Sequence, residues 1–127
     1  MRQNALWNCK NPNQSDFKKV LCVCSAGLLR SPTIAWILSN HGYNTRAAGV
    51  NDYALIQVDP VLIEWADLII CADREHSIRM KDEHQCKKDI IVLHVPDQYA
   101  FRDPKLVEII TQKLWDLKLI EHLPDCI

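Results

Sequence analysis

KVLCVCSAGLLRSPT, residues 19–33, is the stretch of this sequence that decides its fold. It opens on the apolar and β-branched run Lys19–Cys24, which is typical of a strand buried on both faces. It closes on Ser31 and Pro32, which predict a helix start, because serine caps helix N-termini and proline is tolerated at the first helical position. The stretch therefore predicts a buried strand, a short loop and a helix in succession.

The loop in this stretch combines a cysteine, Cys24, with an arginine six positions later, Arg30. Its backbone N–H groups and the positive end of the following helix dipole would face one concavity, where an anion such as phosphate binds. The guanidinium of Arg30 adds donors for two anion oxygens and stabilises a thiolate at Cys24. We expect Cys24 to be a nucleophile that is ionised near neutral pH. The candidate phosphate-binding residues are Ser25, Ala26, Gly27, Leu28, Leu29, Arg30 and Ser31.

The rest of the chain alternates apolar strand-like runs with helical patterns. The predicted strands are Lys19–Cys24, Asn44–Val50, Asp67–Ala72 and Asp89–Val95. The predicted helices are 32–41, a helix starting at Asp59-Pro60 within the partly helical segment 51–65, 73–83 with Asp73 as its cap, and 103–123. Such alternation implies an α/β fold, a three-layer α/β/α arrangement around a four-stranded parallel sheet with right-handed crossovers.

A late aspartate, Asp97, follows the fourth predicted strand and is the candidate for proton transfer. Loops after strands one and four open at the same edge of a parallel sheet, where ligands bind, so Asp97 and Cys24 can share a site. Asp103 is the rival acid. Its position before Pro104 favours a role as the cap of the last helix, so Asp97 is preferred.

Length and composition indicate a single globular domain. The chain has 127 residues, of which 48% are hydrophobic and 24% are charged, enough for one core. A formal net charge of −1 offers no basic field to nucleic acid, and the longest apolar stretch, residues 58–72, is too interrupted by charges and proline to span a membrane. Residues 1–15 lack the apolar middle of a signal peptide, so we expect the protein in the cytoplasm. We also expect residues 1–17 to be a loose extension before a single domain at 18–127.

The six cysteines raise the question of disulfides and metal sites. A reducing compartment favours free thiols. Cys22 and Cys71 lie in apolar runs and are interpreted as core residues. The sequence assigns no role to Cys9, Cys86 or Cys126. A zinc site would have to use Cys71, His76, His84 and Cys86, whose spacings match no common zinc pattern, so neither a metal nor a cofactor is predicted.

Together these motifs resemble the low-molecular-weight protein tyrosine phosphatases. The Cys24-x5-Arg30-Ser31-Pro32 loop between the first strand and the first helix is similar to the signature of that family. Three further segments resemble family segments in the expected order: Ala47-Ala48-Gly49, Trp65–Ile69 and Pro96–Tyr99. The resemblance covers roughly Lys18 to Leu119, and the Pro-Asp-x-Tyr form of the last segment is similar to that of a compact bacterial and phage-type branch.

The resemblance implies a phosphatase that hydrolyses protein phosphotyrosine, or another aryl phosphate, through a cysteinyl-phosphate intermediate without a metal. Cys24 would attack in line, while Arg30 and the loop N–H groups hold the phosphate oxygens and Ser31 donates its hydroxyl to the thiolate. Asp97 would protonate the leaving phenolate and then activate water. Tyr99 is interpreted either as a wall of the substrate slot or as a half-buried aromatic. The implied partner is a phosphorylated protein or small aryl phosphate, with no nucleic acid and no membrane.

Two positions depart from the family pattern. The family usually has an asparagine three residues after the nucleophile, held by a serine, where this chain has Gly27 and Ala47. Glycine adopts a left-handed backbone without help from a side chain, so we expect a positive φ angle at Gly27 and a looser but intact loop.

Three other side chains receive structural interpretations. Tyr53 is similar to an aromatic of a second wall loop in the family, but the loop lengths differ and a wall role is disfavoured. His76 is expected on a helix surface, and His94 is expected in a strand.

Two other functions remain open. A related branch of the family reduces arsenate and relays oxidation through two further cysteines, for which Cys71 and Cys86 are available, although their spacing is wider and Cys71 is expected to be buried. A non-catalytic phosphate or phosphopeptide binder is the second alternative. It is disfavoured because both the nucleophile and the acid are present.

Overall fold

A computed structural model describes residues 18–25, 29–96 and 98–120, which form a four-stranded parallel sheet and four helices. The strands are β1 (Lys19–Cys24), β2 (Asn44–Gly49), β3 (Leu68–Cys71) and β4 (Ile90–Val92). The helices are α1 (Arg30–Asn40), α2 (Pro60–Trp65), α3 (Arg74–His84) and α4 (Pro104–Asp116). Strands and helices alternate, so the α/β class and the four-stranded parallel sheet predicted from the sequence are confirmed. The predicted extension, residues 1–17, lies outside the described residues.

The strand order is β2-β1-β3-β4, which gives β1 an interior position with parallel partners on both sides. Its register runs from Lys19 opposite Asn44 to Cys24 opposite Gly49 in β2. The residues of β1 between its two ends are all completely buried, as predicted for a strand covered on both faces. Cys24 therefore ends an interior strand at the carboxyl edge of the sheet.

The sheet separates two apolar cores. Successive side chains of a strand point to opposite faces, so Val20 and Cys22 face one core while Leu21 and Val23 face the other. The first core packs α1 and α4 against the sheet, and the second contains Met80 of α3 together with the half-buried face of α2. The result is the predicted three-layer arrangement.

Aspartate caps begin three of the four helices, as the sequence predicts. Asp59 accepts a hydrogen bond from the backbone N–H of Leu62 at 2.8 Å at the start of α2. At the start of α3, Asp73 accepts a hydrogen bond from the backbone N–H of Arg74 at 2.7 Å. At the start of α4, Asp103 accepts one from the backbone N–H of Lys105. These side chains occupy backbone donors that the first helical turn leaves unpaired.

Two elements are shorter than predicted because the backbone turns into the left-handed region. His94 has a φ of 58°, so β4 ends at Val92 and His94 lies after the strand rather than in it. Lys118 has a φ of 61°, and α4 ends at Asp116 rather than at Leu123. Within the described ranges no helix has the length and apolarity needed to cross a bilayer.

Candidate active site

Cys24 lies at the junction of β1 and the loop that leads to α1. Its side chain is buried, with 3% of its surface exposed, and its Sγ lies 3.1 Å from the Oγ of Ser31. The Ser31 hydroxyl also lies 3.4 Å from the carbonyl oxygen of Ala48 in β2. A thiol at Cys24 donates to Ser31, which then donates to Ala48, whereas a thiolate accepts the Ser31 proton instead. Ser31 is thus placed to stabilise the ionised nucleophile.

Ser31 holds this place because α1 begins two residues earlier than the sequence predicts. The helix starts at Arg30, Leu29 is its N-cap, and among the described residues no side-chain hydrogen bond caps its first turn. The expectation that Ser31 caps the helix is therefore wrong. Its side chain points from within the first turn to Cys24, and the positive end of the α1 dipole meets the nucleophile at the same point.

Arg30 connects the start of α1 to the segment that follows β4. Its guanidinium is almost fully buried, and its Nη1 donates to the carbonyl oxygen of Val95 at 3.1 Å. A guanidinium has five N–H donors, so one arginine can bind a carbonyl oxygen and an anion at the same time. The segment after Val95 therefore begins beside Arg30.

The far end of the same segment is also fixed to α1. The backbone N–H of Arg102 donates to Thr33 Oγ1 at 3.1 Å, and its guanidinium lies over the ring of Trp36, 4.3 Å from the centroid. Asp97 itself lies outside the described residues. Tyr99, two residues further on, is half-buried and packs on the core between the sheet, α1 and α4. A role of this ring as a wall of the substrate slot stays a prediction.

The middle of the nucleophile loop, Ala26, Gly27 and Leu28, also lies outside the described residues. The positive φ angle expected at Gly27 therefore stays a prediction. Ala47, the other position that departs from the family pattern, lies buried in β2 opposite Cys22.

His76 is a site-neighbouring residue that the sequence interpretation placed wrongly. The sequence predicts His76 on a helix surface, but only 2% of its surface is exposed. Its Nε2 lies 3.0 Å from the Oγ of Ser25, the residue after the nucleophile, and its Nδ1 accepts the N–H of Asp73. The N-cap to N3 spacing of Asp73 and His76 is the signal that identifies this inward position, although Glu or Gln is the usual residue there.

The loop after β2 forms the other side of the site. Backbone N–H groups of Val50 and Asn51 donate to the carbonyl oxygens of Cys24 and Ser25, both at 3.0 Å. Tyr53 on this loop is 72% exposed, and its hydroxyl accepts from the side-chain amide of Asn51.

The other described cysteines, Cys22, Cys71 and Cys86, have free thiols and are buried. Burial, followed by the nearby Cys86 and Cys24, raises the pKa of Cys71 to about 12. Burial likewise raises the pKa of Cys22 well above its ordinary value. Within residues 18–25, 29–96 and 98–120, no three His, Cys, Asp or Glu side chains converge on a possible metal position.

An interior parallel strand ends in cysteine and is followed by a helix that begins with a buried arginine. The chain has the fold of the low-molecular-weight protein tyrosine phosphatases. No family model matches the chain, and no curated protein matches its sequence. Its similarity to known proteins is therefore found at the level of structure.

Three solved structures illustrate this similarity. The low-molecular-weight protein tyrosine phosphatase SP-PTP of Streptococcus pyogenes is 17% identical, with a TM-score of 0.69 over 83% of this chain and 95% of that one. The tyrosine phosphatase Wzb of Escherichia coli K30, in complex with phosphate, is 19% identical, with a TM-score of 0.63 over 81% and 99%. The arginine phosphatase YwlE of Geobacillus stearothermophilus is 19% identical, with a TM-score of 0.56 over 83% and 97%. At these identities the likeness establishes the shared fold.

Proposed function

We propose that this chain is a protein tyrosine phosphatase, which hydrolyses phosphotyrosine or another aryl phosphate monoester through a cysteinyl-phosphate intermediate. The observation that carries the proposal is the 3.1 Å contact between Cys24 Sγ and Ser31 Oγ at the N-terminus of α1. A hydroxyl donor and a helix N-terminus beside a cysteine favour a nucleophilic role for its sulfur, and a helix that begins with an arginine favours a bound anion.

The proposed reaction has two steps. In the first, the Cys24 thiolate attacks phosphorus in line, an S–P bond forms, the P–O bond to the aryl group breaks, and Asp97 gives its proton to the leaving phenolate. In the second, the Asp97 carboxylate takes a proton from water, which attacks the thiophosphate and releases phosphate and the thiolate. Arg30 and the loop N–H groups hold the equatorial oxygens throughout.

The position of the β4–α4 segment supports Asp97 as the acid. Because Arg30 binds Val95 and Thr33 binds Arg102, the two ends of this segment lie on the first turns of α1. Asp103 accepts from Lys105 N–H at 2.9 Å and caps α4. An acid already engaged in a helix cap supports the preference for Asp97 over Asp103.

The buried state of Cys71 supports hydrolysis over an arsenate-reducing relay. Cys71 is completely buried and its pKa is raised to about 12, so it is a thiol at neutral pH. The attacking species in thiol–disulfide exchange is the thiolate, and attack also requires access. A relay through Cys71 would therefore be slow.

The test is hydrolysis of p-nitrophenyl phosphate by the full chain in the presence of a chelator. We expect turnover in the wild type, its loss in Cys24→Ser and in Arg30→Ala, and unchanged turnover in Cys86→Ala, a buried cysteine outside the proposed machinery. Peptides with phosphotyrosine and with phosphoarginine identify the substrate class, since one of the similar structures is an arginine phosphatase. Turnover retained in Cys24→Ser, or arsenate reduction with thioredoxin that depends on Cys71, contradicts the proposal.

A further inference from the structure

His76 and Ser25 form a hydrogen bond whose direction the structure determines. The Nδ1 of His76 accepts the backbone N–H of Asp73 at 3.0 Å, so this nitrogen carries no proton. In the neutral ring the proton is then on Nε2, which donates to Ser25 Oγ at 3.0 Å. The N-terminus of α3 therefore fixes both the orientation and the tautomer of the imidazole.

A second side chain of α3 holds the same region from the neighbouring loop. Arg79 lies three residues after His76, on the same side of the helix. Its Nη2 donates to the carbonyl oxygen of Val50 at 3.0 Å, and its Nη1 donates to the side-chain oxygen of Asn51. Asn51 in turn donates its backbone N–H to the carbonyl oxygen of Ser25 at 3.0 Å. Ser25 is thus held at its side chain and at its carbonyl group, and both contacts lead to α3.

Ser25 is the first residue after Cys24, so its backbone begins the loop whose N–H groups are proposed to hold the phosphate oxygens. Such donors are effective only when they are held about 2.7–3.1 Å from the oxygens they bind. A serine whose side chain and carbonyl group are both held by contacts that lead to α3 keeps the start of the loop in one orientation. A side chain that acts in this way needs no contact with the substrate.

We propose that His76 is a positioning residue of the nucleophile loop: through its Nε2–H donor to Ser25, it fixes the first peptide of the loop in the geometry that binds phosphate oxygens. The inference rests on the proposed function, because it assumes that the loop binds the phosphate group of a substrate. Its test, however, measures the binding of inorganic phosphate and not turnover. It assigns a role in oxyanion binding to a residue of α3.

The experiment measures how inorganic phosphate protects Cys24 from iodoacetamide, which yields a Kd for phosphate in each full-length variant. We expect Ser25→Ala and His76→Ala each to weaken phosphate binding about tenfold, the effect of losing about 1.4 kcal/mol. The double variant should be no weaker than either single variant, because one hydrogen bond is lost in all three. His76→Gln should restore the Kd to within about threefold, because glutamine at N3 accepts the Asp73 N–H and still presents an amide donor.

Met80→Ala is the matched control for loss of helix stability. Met80 lies in α3 and is completely buried, so its truncation weakens the packing of the helix without touching Ser25. Its Kd for phosphate should equal that of the wild type when both are folded. If His76→Ala does not fold, Ser25→Ala and His76→Gln still test the inference, since both leave α3 capped.

Four results overturn the inference: additive losses in the double variant, no rescue by glutamine, an equal loss in Met80→Ala, or a wild-type Cys24 that phosphate does not protect. Phosphate protection without hydrolysis of any aryl phosphate rejects the proposed function alone. The two failures are therefore distinguishable.

Discussion

At the scale of single residues, Ser31 has one hydroxyl proton and two neighbouring acceptors. Which acceptor receives it depends on the charge of Cys24, since a thiolate is a stronger acceptor than the carbonyl oxygen of Ala48. Ser31→Ala removes this response and leaves the sulfur without the hydroxyl donor. A hydrogen bond to a charged group contributes about 1.5–3 kcal/mol, so we expect the alkylation rate of Cys24 and kcat to fall by about 10- to 100-fold.

Ser39→Ala is the control for that substitution. Ser39 is a buried serine of the same helix, and its hydroxyl donates to the carbonyl oxygen of Trp36 at 2.8 Å, away from the sulfur. Its loss should affect the free energy of unfolding and leave kcat unchanged. Equal kinetic losses in the two variants contradict a role of Ser31 at the thiolate.

The dependence of kcat on the leaving group shows whether Asp97 or Asp103 is the general acid. If Asp97 is the general acid, Asp97→Asn should lower kcat by roughly 10²–10⁴-fold for phenyl phosphate and much less for a substrate whose phenolate leaves without a proton. Asp103→Asn should mainly weaken the cap of α4. A larger loss of kcat at Asp103 would reverse the assignment.

The residues of the candidate site were predictable to different degrees. Cys24 and Arg30 were identified from local spacing, because a strand, a loop and a helix in succession position both. His76 could not be identified in this way, because its partner Ser25 is 51 positions away in sequence. In addition, the helix that contains His76 is highly charged. Its inward direction is set by tertiary packing and by a histidine in a capping position usually filled by Glu or Gln.

At the scale of elements, α4 covers the first core with side chains at four-residue spacing. Leu106, Ile110 and Leu114 are all completely buried. Ile110→Ala should lower the free energy of unfolding by about 2–5 kcal/mol, because it leaves a cavity between α4, α1 and the sheet. Leu117→Ala, at a side chain that is 46% exposed, should change it by about 0.5 kcal/mol or less. Chemical denaturation measures the free energy of unfolding of both variants. Equal losses of stability would mean that the buried face of α4 does not stabilise this core.

The helix caps were predictable from the sequence, but several element ends were not. Asp59, Asp73 and Asp103 act through their immediate neighbours, so the sequence alone identifies them. The end of β4 depends on a left-handed residue, His94, in an otherwise apolar run. A histidine carries no sequence signal as strong as glycine for that conformation.

At the scale of the whole molecule, the buried thiol of Cys71 makes the free energy of unfolding fall as the pH rises into the alkaline range. Burial raises its pKa to about 12 in the folded protein, whereas the unfolded chain loses this proton near about pH 8.5. Between about pH 9 and 12 the unfolded state therefore binds fewer protons, and stability falls as pH rises. We expect Cys71→Ala to remove a contribution of about 1.4 kcal/mol per pH unit to this slope.

Denaturation at a series of pH values measures that slope. Ile110→Ala is the control, because it should lower stability equally at every pH. An unchanged slope in Cys71→Ala would show that this thiol does not govern the alkaline limit.

The bond between Arg30 and Val95 has a consequence for the order in which the protein is made. The two residues are 65 positions apart, and β1 needs both β2 and β3 as partners. During translation Cys24 leaves the ribosome before Val95 does, so the bond from Arg30 to Val95 cannot form until the segment after β4 has followed. Until β2 and β3 have followed, β1 presents unpaired backbone edges in a largely apolar strand, which makes the nascent chain prone to association. A truncated product that ends before Val95 would carry the reactive cysteine without the contact that joins α1 to the segment after β4.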